Sequence, residues 1–66
     1  MLNISPRERE VARLLAKGLN VSQIAQQLRI SPHTVATHKR RAIAKTNAVS
    51  SLDLAVKVTF DGRNST

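Results

Sequence analysis

Apolar residues recur at helical spacing in four successive segments of the chain. In the clearest of them, Val21, Ile24, Ala25 and Leu28 occupy positions i, i+3, i+4 and i+7, which line one face of an α-helix. The four patterns predict an all-α fold, a single domain over residues 1–66 with a flexible, polar tail at its end. The predicted helices cover residues 6–17, 21–28, 32–46 and 51–59, and the predicted tail covers residues 60–66.

Each predicted helix starts at a recognisable capping sequence. Ser5 and Glu8 have the spacing of a capping box, in which each side chain bonds the backbone N–H of the other residue, and Pro6 suits the first helical position. Gly18 suits the left-handed conformation that often ends a helix. Comparable start signals follow at Asn20–Gln23, Ser31–Pro32 and Ser50–Asp53.

The second and third predicted helices are separated by only a tight turn. Residues 29–30 form a short connection before Ser31 opens the third helix. Two helices joined by about three or four residues are typical of the helix-turn-helix motif. At 100° per residue, Val35, Ala42 and Thr46 fall on the same side of the third helix, and we expect that side to face the core.

The fourth predicted helix is apolar around much of its circumference. Leu54, Ala55 and Val58 share one face, and Leu52 and Val56 add apolar surface elsewhere. Such a helix needs a second surface to bury against, and a monomer of this size has little surface to supply. We therefore expect a partner subunit to cover it.

The charge of the chain is strongly positive and unevenly distributed. Eleven Lys and Arg residues against four Asp and Glu give a net charge of +7. No carboxylate lies between Glu10 and Asp53. A positive field over the middle of so small a domain attracts polyanions, nucleic acid before others. The basic residues of this interval are Arg13, Lys17, Arg29, Lys39, Arg40, Arg41 and Lys45.

Several kinds of site are excluded by composition. The chain has no cysteine, and its two glycines, Gly18 and Gly62, are too far apart to form a phosphate-binding loop. Phe60 is the only aromatic residue, which excludes a base-stacking platform. His33 and His38 are five residues apart instead of the four that place two imidazoles on one metal ion. We therefore predict no catalytic residue, no metal site and no cofactor.

No apolar run exceeds three residues, which excludes a membrane span and a signal peptide. We expect a cytoplasmic protein and, if it binds DNA, a location at the nucleoid.

The outward side of the third helix has the side chains of a DNA reader. An α-helix fits the major groove, where arginine can bond two acceptors of guanine and threonine can bond a base edge or touch a thymine methyl group. Thr37 and Arg40 lie on this side and are the predicted base contacts. Residues placed to contact phosphate are Ser31, His33, Thr34, Lys39, Arg41 and Lys45.

Taken together, these residues resemble the LuxR/GerE-type helix-turn-helix domain of bacterial transcription regulators. The resemblance runs without a gap from about residue 4 to residue 58. It rests on Ile4–Val11, Gly18–Leu19, Ile24–Ala25 with Leu28, Ile30–Pro32, Thr34–Val35, His38 and Lys45.

The resemblance implies a four-helix domain whose third helix reads DNA and whose fourth helix pairs two copies on a pseudo-palindromic operator, in free solution or only on DNA. The family's base-contact positions fall on Ala36, Thr37 and Arg40, and Ala36 can offer only apolar contact. Thr46 stands where the family usually has leucine, which weakens the expected packing between helices three and four. The expected dimerisation residues are Leu52, Leu54, Ala55 and Val58.

Two other functions stay open at this point. The fourth helix could pair with another regulator, or the chain could contact RNA polymerase as region 4 of sigma factors does, with DNA contact secondary in both cases. Non-specific DNA compaction would also suit the charge. The sequence does not determine the operator, the regulated genes, the direction of regulation or any input signal. Nor does it determine whether the chain is a stand-alone regulator or an excised domain.

Overall fold

The computed structural model describes residues 3–64, and side chains as far as residue 60. This part of the chain forms four α-helices and no strand, as the apolar spacing predicts. The second and third helices have the predicted bounds, and the first ends one residue early, before its cap at Lys17. The helices are α1 Pro6–Ala16, α2 Val21–Leu28, α3 Pro32–Thr46 and α4 Ser51–Asn64.

The predicted start signals form the expected hydrogen bonds. Ser5 Oγ accepts from the backbone N–H of Glu8 at 3.1 Å, and Glu8 Oε1 accepts from the backbone N–H of Ser5 at 3.1 Å. Asn20 and Gln23 bond each other reciprocally at the start of α2, at 2.8 and 2.9 Å. Four backbone donors that would otherwise lack a partner are thus satisfied, which fixes where both helices begin.

At the start of α4 the capping differs from a complete box. Ser50 Oγ accepts from the backbone N–H of Asp53 at 3.1 Å, but the Asp53 carboxylate reaches the backbone N–H of Val49 instead of that of Ser50. This N–H, and then the Lys57 ammonium at 3.1 Å, lower the pKa of Asp53 below its ordinary value. The ionised carboxylate therefore ties the α3–α4 loop to the first turn of α4.

The core consists of two clusters that share α1. Val11 and Leu14 pack with Ile24, Ala25 and Val35, which joins α1 to the helix-turn-helix unit. A neighbouring side of α1 contributes to a second cluster, formed by Ala12, Ala42, Leu54 and Val58. Helix α1 thus holds α3 and α4 in place, and the solvent-facing side of α3 stays open.

Three of the four residues predicted to pair two copies are part of this core. Leu54 is 0% exposed, and Ala55 and Val58 are also buried within the single chain. For Leu54 and Val58, α1 and α3 supply surface that we expected from a partner subunit, and the dimerisation role of all four residues stays a prediction. Leu52, the fourth predicted residue, is 75% exposed.

Helix α4 is longer than its sequence pattern indicates. It continues to Asn64, whereas the prediction ended the helix at residue 59 and began a flexible tail at residue 60. A single glycine costs a helix only about 1 kcal/mol, and no proline follows Val58, so the polar composition does not force the backbone out of the helix. Residues 65 and 66 of the predicted tail lie outside the described residues.

The end of α3 is closed by polar contacts. The buried Thr46 hydroxyl donates to the carbonyl of Ala42 at 2.8 Å, so the position where the family usually has leucine has no unsatisfied polar group. Asn47 takes the left-handed conformation with φ 56°. The Lys57 ammonium lies 3.4 and 3.3 Å from the carbonyl oxygens of Thr46 and Asn47 and satisfies acceptors at the C-terminal end of α3.

Within residues 3–64, no helix has both the length and the apolar character needed to cross a membrane.

Arg29, which ends α2, offers a first test of the fold. It has φ 59° and ψ 43°, the left-handed conformation that costs a non-glycine residue about 1 kcal/mol, and its side chain is exposed. We expect Arg29→Gly to raise the free energy of unfolding by about 0.5–1 kcal/mol in denaturant titration. Asn47→Gly is the matched control and should gain less, because asparagine tolerates this conformation. A loss of stability in Arg29→Gly would contradict this account of the turn.

Candidate nucleic-acid interface

The turn between α2 and α3 fixes the orientation of α3. Arg29 ends α2 in the left-handed conformation, and the backbone N–H of Ile30 donates to the carbonyl of Ala25 at 3.1 Å. Ser31 then caps α3 by accepting from the backbone N–H of Thr34 at 3.1 Å. Residues 29–31 thus join the two helices as the sequence predicts, and Ile30 packs against the core.

Helix α3 presents one side to the core and the other to solvent. Val35, Ala42 and Thr46 are buried, which confirms the predicted inward side. Arg40 is exposed, and Ala36 and Thr37 are half-buried. The three predicted base-contact residues therefore lie within two turns of one another, away from the buried side of the helix.

Some cations on the surface of α3 have no carboxylate partner among the described residues. Among the described residues, Lys39, Arg40 and Arg41 form no ion pair. The carboxylates with described ion pairs are Glu8, Glu10 and Asp53, which belong to α1 and α4. The outward side of α3 therefore has positive charge that its own fold does not neutralise.

The hydroxyl of Thr37 is already engaged within the helix. Thr37 Oγ1 donates to the carbonyl of His33 at 3.1 Å. With its hydrogen used in this way, the hydroxyl can accept a hydrogen bond from a base amino group, and its methyl group can touch a thymine methyl.

The hydroxyls at the start of α3 also bond each other. Ser31 Oγ and Thr34 Oγ1 are 2.8 Å apart, and either atom can be the donor. One of the two hydroxyl hydrogens therefore stays available for an external acceptor such as a phosphate oxygen. His33, in the same turn, is exposed.

His38 lies further along α3 and is half-buried. Its Nδ1 atom is buried and has no hydrogen-bond partner among the described residues.

Lys45 has a partner within the fold that the sequence did not indicate. It was expected to contact phosphate, but its Nζ atom lies 2.8 Å from Glu8 Oε1 on α1. Glu8 is only 3% exposed, whereas the Lys45 side chain is 39% exposed. The ion pair therefore neutralises a buried carboxylate and links the last turn of α3 to the capping box of α1.

The surroundings of Glu8 favour its ionised form. Burial acts to raise the pKa of Glu8, but the hydrogen bond from Lys45, the backbone N–H of Ser5 and the charge of Lys45 together lower it below 4.5. Sequence reasoning recognised Glu8 only as half of a capping box. Its partner on α3 is 37 positions away, and no local pattern predicts such a contact.

Sequence reasoning also missed part of the exposed surface of α4. Val56 and Phe60 are 48% and 59% exposed, and with Leu52 they stand at i, i+4 and i+8. We call Leu52, Val56 and Phe60 the outer α4 face. The spacing is visible in the sequence, but Phe60 had been assigned to the tail.

A metal centre is not formed in the described part of the chain, where no three His, Cys, Asp or Glu residues come close enough together to hold an ion. The geometry is instead that of a helix-turn-helix unit with a positive, solvent-facing helix.

Residues 2–58 match the family model for bacterial regulatory proteins of the luxR family. The chain belongs to this family. It is a LuxR-family helix-turn-helix domain, and the resemblance found in the sequence is confirmed. The family is one of regulators and not of enzymes.

Curated relatives show the same relationship. The transcriptional regulatory protein UhpA of Salmonella typhimurium is 39% identical over 59 residues, which are 89% of this chain and 30% of UhpA. UhpA of Escherichia coli gives the same identity and coverage. The tetrathionate response regulatory protein TtrR of Salmonella typhimurium is 39% identical over 51 residues, 77% of this chain and 25% of TtrR. The chain thus spans less than a third of the length of these relatives. No solved structure matches it.

Proposed function

We propose that this LuxR-family domain binds a specific sequence of double-stranded DNA as a homodimer, with α3 of each copy in the major groove. The observation that carries the proposal is the accessible surface of α3, where the exposed Arg40 and Arg41 and the half-buried Lys39 are not neutralised by any described carboxylate. A helix of 15 residues, about 22 Å long, is long enough to follow the groove over several base pairs.

Base contacts are assigned to Thr37 and Arg40 on the outward side and to Ala36 at its flank. Arg40 is exposed and can bond O6 and N7 of one guanine. Thr37 accepts a hydrogen bond or contributes its methyl group, and Ala36 contributes a methyl group. The residues flanking them are assigned to phosphate, where they set the register without reading sequence: Ser31, His33, Thr34, Lys39 and Arg41.

Dimerisation is assigned to the outer α4 face. Leu52, Val56 and Phe60 form an apolar stripe on the side of α4 away from the core residues Leu54 and Val58. Two copies related by a two-fold axis can bury this stripe against each other, and such a pair matches a pseudo-palindromic operator. The dimer can form in free solution or only on DNA, where both copies are held close together.

The same exposed face favours a second candidate, in which α4 pairs with a different regulator or with RNA polymerase and DNA contact is secondary. The two candidates predict different results in sedimentation equilibrium and in a pull-down with RNA polymerase. A homodimer that retains no polymerase supports the first candidate. A monomer with and without DNA that binds the foreign protein in a stoichiometric complex supports the second.

The proposed function is tested by selecting the chain on random duplexes of about 20 base pairs, long enough for two half-sites one helical turn apart. We expect an enriched inverted repeat when the bound fraction is sequenced at physiological salt. Enrichment of a single half-site would contradict the dimer. Binding that depends on salt and enriches no sequence would contradict specific recognition and indicate non-specific compaction.

Arg40→Ala tests whether α3 reads the bases. On the selected duplex we expect a loss of about 1–3 kcal/mol of binding free energy and a relaxed preference at one base pair, measured by fluorescence anisotropy with a set of single-base variants. Arg41→Ala is the matched control. It should weaken all sequences alike and reduce the salt dependence by about one unit. Unchanged affinity and preference in Arg40→Ala would exclude α3 as the reader.

A further inference from the structure

An open recess lies between the start of α2 and the middle of α3. It has a volume of about 300 Å³. Val21 comes from the first position of α2, and Ala36 and Ile43 come from α3. All three side chains are half-buried, so their apolar surface is only partly used by the core. The remaining lining residues are Lys39 and Arg40.

From this arrangement we infer that the recess binds the 5-methyl group of a pyrimidine next to the base pair read by Arg40. The inference rests on the proposed function and adds a specificity contact on Val21, which lies outside the predicted base contacts, while Ile43, two turns beyond Ala36, lines the far end of the recess. Thymine carries such a methyl group in the major groove, and 5-methylcytosine carries the same group at the same position.

Charge identifies DNA as the occupant of this recess. Lys39 and Arg40 form its polar wall, and neither is paired with a carboxylate among the described residues. A neutral apolar ligand would interact only with the apolar wall, whereas a nucleotide also offers phosphate and base acceptors to the two cations.

The position of the recess on α3 also indicates DNA as its occupant. Ala36 and Arg40 are four positions apart, so they lie one above the other on the helix. When Arg40 bonds a guanine, the neighbouring base pair therefore faces Ala36. The methyl group of a pyrimidine at that step then lies against Ala36, in the recess that Val21 also lines.

The test replaces each thymine of the selected duplex in turn by deoxyuridine, which removes the methyl group and leaves the hydrogen-bonding groups unchanged. Burying one methyl group in an apolar site strengthens binding about fourfold. We therefore expect the affinity to fall about fourfold when one particular thymine of each half-site is replaced. This thymine should be adjacent to the base pair at which Arg40→Ala relaxes the preference. No loss at any thymine would overturn the inference.

Variants then assign the methyl group to this recess. Val21→Thr keeps the shape of the side chain and replaces one methyl group by a hydroxyl. We expect the ratio of the affinities for the thymine and deoxyuridine duplexes to fall from about fourfold to about twofold. Ala36→Ser should reduce the ratio in the same way. Val49→Ala, at an exposed residue outside the recess, is the control and should leave the ratio unchanged. Each variant is measured on two duplexes, so a moderate loss of folded protein lowers both affinities alike and leaves their ratio unchanged.

A separate arm uses cytosine. At the sensitive position, a 5-methylcytosine–guanine pair should bind about fourfold more tightly than a cytosine–guanine pair, since the two differ only by the methyl group. A ratio that persists in both Val21→Thr and Ala36→Ser would place the methyl contact elsewhere, for example on Thr37, and overturn the inference. Failure to enrich any sequence in the selection would instead contradict the proposed function itself.

Discussion

Replacing Leu54 by alanine is expected to leave little folded protein at 25 °C. Leu54 is completely buried between α1 and α3, and a leucine-to-alanine change at such a site costs about 2–5 kcal/mol. A domain of this size has a total stability of about 3–5 kcal/mol, so the loss consumes most of it. Circular dichroism with thermal and urea titration measures the effect directly.

Leu52→Ala is the matched control on the same helix. Leu52 is 75% exposed, so its truncation should change the free energy of unfolding by less than about 0.5 kcal/mol. It should instead weaken self-association in sedimentation and on the inverted repeat, because Leu52 belongs to the outer α4 face. The reverse pattern, a stable Leu54→Ala monomer and an unfolded Leu52→Ala, would contradict the placement of α4.

Replacing Lys45 by methionine is expected to destabilise the domain by about 1.5–3 kcal/mol at pH 7, the range for hydrogen bonds to charged groups. The change keeps most of the aliphatic chain but leaves the Glu8 carboxylate buried without its cation. Because the Lys45 ammonium is partly exposed, we expect less than the cost of breaking a fully buried pair. Urea titration of both proteins gives the difference.

Two controls separate this role from phosphate binding. Lys45→Arg retains the cation and should retain most of the stability. Arg41→Met removes a nearby cation of α3 that has no described ion pair, and it should leave the free energy of unfolding almost unchanged. If Lys45→Met and Arg41→Met were equally stable, the Glu8–Lys45 pair would contribute nothing to folding.

The pH dependence of stability gives an independent check on the same pair. The pKa of Glu8 is lower in the folded state than its ordinary value of 4.5. Ionised Glu8 therefore stabilises the folded state fully above pH 4.5, and this stabilisation is lost as the pH falls through the folded pKa. In Lys45→Met burial still acts to raise the pKa of Glu8, while the effect of lysine is gone. The difference in free energy of unfolding between the unsubstituted protein and Lys45→Met should therefore become smaller below pH 4.5. A difference that stays constant down to pH 3 would exclude Glu8 as the partner of Lys45.

The local features of this fold were accessible from the sequence because they depend on neighbours a few residues apart. The capping of α1 and α2, the turn over residues 29–31 and the inward side of α3 all follow from contacts within one or two helical turns. The middle of the chain has no carboxylate, and this indicated nucleic acid as the partner, because charge composition can be read from the sequence alone. Family membership added the expected base-contact positions.

The features that the sequence did not show concern surfaces that two distant segments create together. Leu54, Ala55 and Val58 were assigned to a dimer because helix spacing shows that they share a face but not what covers it. Lys45 was assigned to phosphate because its partner, Glu8, lies on another helix. The recess beside Arg40 needed Val21 from α2 to be complete.

The sequence by itself therefore determined four helices, most of their boundaries and a basic character suited to DNA. Hydrophobic periodicity, capping and net charge are properties of a chain segment or of the whole composition. Only the tertiary structure decided which apolar face of α4 is core and which is free, and which cations are already neutralised. Burial and ion pairing depend on how the helices pack against one another, and in this domain α1 decides both by lying between the two clusters of the core.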